Sequence, residues 1–523
     1  MFHGHNEYFY TGGCSLTTIP LLIFYHSTIF GMSLKLHSIQ RFVLSVLLFS
    51  SLVWVSCKSS EKITREVDPT VEAYSIDEDK AIDRLSEAIQ HKTVSLEDTT
   101  EIVYDQYDDF IAFLEKRYPH LHQKVEKQRI GKYSVLYKWE GNESNLKPAM
   151  LIGHYDVVPV SSGSDTLWTY SPYKGAVDEG FVWGRGTLDD KSGIMSIMEA
   201  GEYLAEQDFN PDRTIYVALN HDEEVGGVRG AQRIAEHLQD KGVELAYLVD
   251  EGLPIAEEII ENVEVPLAMI GIASKGSVNI ELAYNQDGGH SSMPPRSSVI
   301  GTLSNAVNRI ERKPMKASYR GLIVETFDPL IPYMTYTQRL AFNNTWLFRR
   351  IIKNKLSNNP ATNAALRTTA AKTIFEAGFK ENVLPVEGRV IINFRIHPND
   401  TVEDVVEYVR DRIRNDRINI QVLDRARNSS PVSSTKAMPY KMLKRTIEES
   451  FGEVLVSPSL FIAASDARHF HDLTSNIYRF RPIRARHEDR SRIHGIDERI
   501  STENYIEMIR FQIRLIENGA AEL

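Results

Sequence analysis

The chain has 523 residues, room for two or three domains. Its 42% hydrophobic and 25% charged residues are those of a globular protein and exclude a disordered or fibrous one. A net charge of −11 lacks the basic footprint of a nucleic-acid binder, so no nucleic-acid partner is expected.

Lys35 and Arg41 precede the apolar run FVLSVLLFSSLVWV at 42–55, which is too short to span a bilayer comfortably. With the small Ser56 directly before Cys57, this segment resembles a bacterial lipoprotein signal, in which the cysteine is lipidated. Trp54 departs from that pattern, standing where an aliphatic residue is usual. The alternative is an ordinary signal peptide or an uncleaved anchor. Residues 32–57 are read as the export signal with Met32 as the start, residues 1–31 as a doubtful upstream segment, and 58–74 as a polar tether. The expected location is the bacterial periplasm or a membrane surface, reached through Cys57. Cys14 and Cys57 are the only cysteines. A metal site in the body must therefore use His, Asp and Glu, which suit ions such as Zn, Mn or Co.

Helical spacing follows in DEDKAIDRLSEAIQ and TEIVYDQYDDFIAFLEKRYP. Then come short apolar strands, YSVLYKWE and PAMLIGHYDVVPV. The helix IMSIMEAGEYLAEQ, the strand TIYVALN, the helix GAQRIAEHLQD and the strand LAYLVDEG alternate in order. That alternation predicts an α/β fold, a sheet flanked by helices. Near Gly271 the pattern changes. KGSVNIELAYNQ alternates as a half-exposed strand, and GRVIINFRIHP and the helix TVEDVVEYVRDRIRN follow further on. Residues 272–427 are read as an inserted α+β domain, a lid or dimerisation module, within a catalytic domain formed by 75–271 and 428–523.

Four segments set acids or histidines at the ends of predicted strands or in turns, where α/β sheets collect their ligands. They are His154 and Asp156 in GHYD, Asp189 and Asp190 in GTLDDKSG, Glu223 and Glu224 in HDEEVGG, and Asp250 in LVDEG. Each has a plain structural reading alone: Asp189 or Asp190 as a helix cap, Asp250 as a turn residue, His154 as a hydrogen-bonded core histidine. Their coincidence points to a metal site. Four histidines near the C-terminus, His469, His471, His487 and His494, could add a ligand, and spacing does not choose among them.

An ordered set of motifs from about residue 80 to the C-terminus resembles the co-catalytic zinc metallopeptidases. That family includes carboxypeptidase S, aminoacylase, glutamate carboxypeptidase and acetylornithine deacetylase. The motifs are HYD at 154–156, GRGTLDDKSG at 184–193, DEEVGG at 222–227, VDEG at 249–252, GGHSSMPP at 288–295, NVLP at 382–385, NFRIHP at 393–398, SDAR at 465–468 and IHGIDERI at 493–500. The wording is most similar to the carboxypeptidase S and N-acyl-amino-acid hydrolase branch.

The resemblance implies two divalent ions, zinc first and Mn or Co as alternatives. His154, Asp189 and Asp250 would hold one, and Asp189, Glu224 and His494 the other, with His487 as the fallback for His494. It implies Glu223 as general base, Asp156 as the residue orienting His154, and Asp222 as support. His290 would stabilise the oxyanion, Arg395 would bind a substrate carboxylate, and Arg468 would touch substrate. The expected reaction is hydrolysis of an amide beside a free carboxylate, in a small peptide or an N-acyl amino acid, by a possible homodimer. The alternatives are a metabolite-specific deacylase or desuccinylase, or an inactive binding lipoprotein on the same fold.

Overall fold

The computed structural model describes residues 66–257 and 265–523. The expected signal segment, Cys57 and most of the tether lie outside the described residues. From Asp68 onward the segment expected to be a tether is folded. Pro69–Glu72 is a short helix capped by Asp68, Val71 is buried, and Tyr74 hydrogen-bonds Glu517 of the C-terminal helix. Val71 supplies apolar burial that the polar composition of 58–74 conceals.

Eight strands form a mixed sheet in the order Glu126–Ile130, Ser134–Trp139, Ile215–Asn220, Ala149–His154, Tyr247–Ala256, Ile477–Ala485, Leu267–Ser274, Leu455–Phe461. The Ile215, Ala149, Tyr247 and Ile477 strands run parallel, and Ser134–Trp139 pairs antiparallel to Ile215–Asn220. Because side chains alternate along a strand, each central strand feeds two cores. Leu151, Leu219 and Val249 pack with helices Glu78–Gln90, Lys191–Glu206, Met438–Phe451 and Thr502–Ala520. Met150, Ile152, Ala218 and Leu248 face the other way, onto Ala231–Asp240 and the segment with Phe470 and Leu473. Burial on both faces explains the near-continuous apolar runs that precede the acids.

The Ile477–Ala485 strand, IYRFRPIRA, is central yet does not read as a strand, because it carries three arginines and a proline. Arg479 and Arg481 are buried there. Arg481 is ion-paired with Asp190.

A second, antiparallel sheet has the order Thr369–Ala377, Glu387–Ile396, Gly276–Asn285, Asn419–Val422. Val278, Ile280, Leu282, Val390, Ile392 and Phe394 pack on helices Val299–Arg312 and Val402–Ile413 as a separate core. Its opposite face carries Ser277, Asn279, Asn393 and Arg395. The motifs GGHSS and NVLP meet in a small hairpin-like pair, with His290 opposite Val383. Between these strands, helices Leu322–Phe327, Tyr336–Asn343, Thr345–Leu356 and Pro360–Leu366 form their own apolar cluster. The first of them lies on the edge of the large sheet, where Ser457 Oγ donates to the Thr326 carbonyl at 2.7 Å.

Candidate metal centre and active site

His154 is the last residue of its strand and is 1% exposed. Its Nδ1 lies 3.0 Å from the Asp156 carbonyl oxygen and 3.4 Å from that residue's Oδ1. Nε2 is thereby turned outward, 3.1 Å from Asp189 Oδ1 and 3.6 Å from Glu251 Oε1. Asp156 also fixes the next loop. Its carboxylate accepts from the backbone N–H of Glu223 (3.1 Å) and Glu224 (3.2 Å) and from Ser95 Oγ (2.7 Å). Burial opposes its charge, but His154 and these donors hold the carboxyl below its ordinary range.

Asp189 stands between two imidazoles. Its Oδ1 faces His154, and its Oδ2 lies 3.1 Å from His494 Nε2. His494 Nε2 is also 3.1 Å from Glu224 Oε1. Burial works against the Asp189 charge, yet the two imidazoles hold the carboxyl far below its usual range. The loop beneath Asp189 hangs on Glu498, which is fully buried. Glu498 Oε1 accepts from the N–H groups of Gly186 (3.0 Å), Leu188 (2.9 Å) and Asp189 (3.3 Å), while Oε2 pairs with Arg185.

Glu223 Oε1 has Arg468 Nη1 at 3.9 Å, and burial pushes its carboxyl up to about 8. Glu224 and Glu251 are raised as well, first by burial. The two glycines after the acids have a structural reason. Gly226 and Gly227 take φ of +111° and +65°, and a Cβ on Gly227 would collide with the Asp466 carboxylate.

The fold brings His154, Asp189, Glu224 and His494 together. It does not bring Asp250. That side chain is 2% exposed and turned away, its Oδ2 accepting from Ala467 N–H at 2.9 Å and its Oδ1 from Glu251 N–H at 2.8 Å. Glu251 faces His154 instead. The strand runs on to Ala256, so neighbouring acids point to opposite sides.

The other C-terminal histidines lie elsewhere. His469 contacts the Gly226 carbonyl, His471 Nε2 is buried with no hydrogen-bond partner among the described residues, and His487 is exposed. Asp222 holds the loop from behind by accepting from Arg229 N–H at 2.7 Å. His290 is exposed, and its Nδ1 is engaged by Ser292.

Arg395 lies in register with Ser277, and Ser277 in register with Arg427. Directly opposed residues of antiparallel strands share a face, so two arginines flank one small serine, their Cα atoms about 10 Å apart by strand spacing. Burial first, then Arg468 and Arg395, pull the Arg427 guanidinium down to about 10, while Glu223 opposes this. Arg427, Glu251 and Glu498 are absent from the sequence-derived site. Only Glu251, adjacent to Asp250, and Glu498, within IHGIDERI, carry a sequence signal.

Two imidazole nitrogens and the carboxylates of Asp189, Glu224 and Glu251 converge, and the ligand atoms of His154, Asp189 and Glu224 lie within 4.8 Å of one another. This N/O donor set, with more buried negative charge than its imidazoles can balance, suits divalent cations. A model of peptidase family M20/M25/M40 matches residues 150–518. The chain is 40% identical over 441 residues to "Probable carboxypeptidase S-like 2" of Dictyostelium discoideum, covering 83% of this chain and 84% of that one. It is 37% identical over 497 residues to "N-fatty-acyl-amino acid synthase/hydrolase PM20D1" of Mus musculus, covering 93% and 97%. The fold is similar to that of the M20 family metallo-carboxypeptidase Sso-CP2 from Sulfolobus solfataricus, with TM-score 0.62 and 18% identity over 84% of this chain and 99% of that one. The chain belongs to peptidase family M20/M25/M40 and is an amide-hydrolysing enzyme.

Proposed function

We propose that the protein hydrolyses the amide bond of N-acyl amino acids, and secondarily the last bond of peptides with a free C-terminus, with two zinc ions or with Mn or Co in their place. The observation that carries this reading is Asp189, whose two carboxylate oxygens each face a different imidazole. Ions bound there would supply Lewis-acid activation of water and of the scissile carbonyl.

His154, Asp189 and Glu251 would hold one ion, and Asp189, Glu224 and His494 the other. Glu223, close to both His154 and Arg468 but paired tightly with neither, takes the proton from the attacking water and delivers it to the leaving nitrogen. Asp156 keeps His154 and the Glu223 backbone in place. Arg395 and Arg427 bind the free carboxylate, Arg468 borders it, and His290 stabilises the developing oxyanion. A homodimer through the second sheet's domain belongs to this reading, as does export through residues 32–57 with Cys57 lipidated.

The test is a panel of N-acyl amino acids, their carboxamide-capped forms, and dipeptides, each with and without chelator. Free acids should be cleaved, capped forms poorly, and chelator should stop both. Glu223→Gln should lose roughly 100-fold or more in kcat with its metal content unchanged. No cleavage by the zinc-, manganese- or cobalt-loaded enzyme across the panel would sink the proposal.

A further inference from the structure

The helix Thr345–Leu356, TWLFRRIIKNKL, turns its apolar residues the wrong way for a soluble surface. Its inner face, Phe348, Ile352 and Leu356, packs into the small helical cluster. On the outer face Trp346 is 70% exposed, Leu347 52% and Ile351 63%. Helical spacing places these three around Arg350, with Arg349 and Lys353 along one border and Lys355 along the other. Among the described residues, none of these four cations has an ion pair or hydrogen-bonded side-chain partner.

The charge is not incidental to the helix. Residues 329–375 contain seven Lys and Arg and no Asp or Glu, in a chain whose net charge is −11. A basic island with a large, outward apolar stripe has the composition of a helix lying in a bilayer interface, where tryptophan sits at headgroup level and cations meet anionic phosphates.

We propose that this helix docks the enzyme onto an anionic phospholipid surface, Trp346, Leu347 and Ile351 entering the headgroup boundary and Arg349, Arg350, Lys353 and Lys355 contacting lipid phosphates. A second copy of the chain fits this face poorly. A two-fold interface would set the same unpaired cations of both copies against one another. The docking goes beyond the hydrolase reading and does not depend on its substrate. Its consequence is position: the enzyme works at the surface where amphiphilic acyl compounds partition.

The test uses the full chain and flotation with phosphatidylcholine vesicles, with and without phosphatidylglycerol. The wild type should favour anionic vesicles and lose binding as salt rises. Trp346→Ala/Leu347→Ala/Ile351→Ala should cut the bound fraction about tenfold or more. Arg349→Gln/Arg350→Gln/Lys353→Gln should abolish the preference for anionic lipid. In a Trp54→Phe background, brominated lipid should quench tryptophan fluorescence, and adding Trp346→Phe should remove that quenching, which separates this helix from any N-terminal attachment. Hydrolysis of a short, water-soluble substrate should be unchanged in all variants. Quenching that persists once Trp346→Phe is added overturns the proposal. So does a Trp54→Phe chain that shows no quenching, or a Trp346-dependent dimer that does not bind lipid.

Discussion

Glu498→Gln should damage the metal site without touching a proposed metal ligand. Glu498 is fully buried, and one of its oxygens receives three backbone N–H groups from the loop that ends at Asp189. Its other oxygen pairs with Arg185, itself 3% exposed. The variant keeps the shape and one acceptor but turns an amide NH₂ toward a buried guanidinium. Breaking one side of a buried pair costs about 3–5 kcal/mol, and that loss should appear in urea unfolding of the metal-free protein. The loop would then be held by a weaker, neutral acceptor, and metal affinity measured by chelator competition should fall about 10–100-fold, as is typical for residues that orient ligands. Arg185→Met/Glu498→Gln separates the two effects, because it removes the unpaired guanidinium while a neutral acceptor still faces the three N–H groups. With no buried charge left unpaired, stability should largely return, while metal affinity stays impaired because the anchor remains neutral. Restored metal affinity in the double variant would refute the positioning role and leave Glu498 as a fold-stabilising pair.

Glu251→Gln should lower the bound metal per chain by elemental analysis, whereas Asp250→Asn should mainly lower the urea midpoint, because Asp250 serves the Ala467 backbone. The opposite pattern would return Asp250 to the site. Arg427→Ala should reduce kcat/KM for free-acid substrates roughly tenfold to a hundredfold, the worth of one charged hydrogen bond, with little change for carboxamide-capped ones. An equal loss on both would assign Arg427 a structural role. Chelation should raise hydrogen exchange over 186–190 and 221–227, because Glu224 and Asp189 would then face each other across His494 alone. Exchange unaffected by chelator would mean that these loops are set without metal.

How much of this was legible in the sequence depends on which force shaped each element. Strands buried on both faces must be apolar, so the runs before His154, Glu223 and Asp250 stand out, and the acids beyond them mark a functional edge. The Ile477–Ala485 strand hides because its arginines belong to long-range pairs. Arg481 meets Asp190, 291 positions earlier, and no local pattern encodes that partner. The sequence reading takes Asp250, and local pattern does not choose between it and Glu251. Alternation says that adjacent side chains diverge, but not which of them faces the cluster. That depends on how the strand bends beside Ile477–Ala485, where the register shifts between Arg479 and Phe480. Arg427 is invisible locally because it enters through a single bridge to Ser277, 150 residues away.

Two carboxylates that are not proposed to touch metal therefore govern the site's geometry. Asp156 captures the N–H groups of Glu223 and Glu224, so the base and one candidate ligand are held by the same residue that orients His154. Glu498 captures the loop carrying Asp189, and it lies four residues after His494 in the same segment. Each anchor ties together two parts of the cluster, and each acts through backbone amides. Rotamer changes in the ligands themselves therefore leave the scaffold intact. Burial of both anchors makes their hydrogen bonds costly to break. The repulsion among Glu223, Glu224, Asp189 and Glu251 is thus opposed by a frame of buried backbone hydrogen bonds, and bound cations would relieve it further.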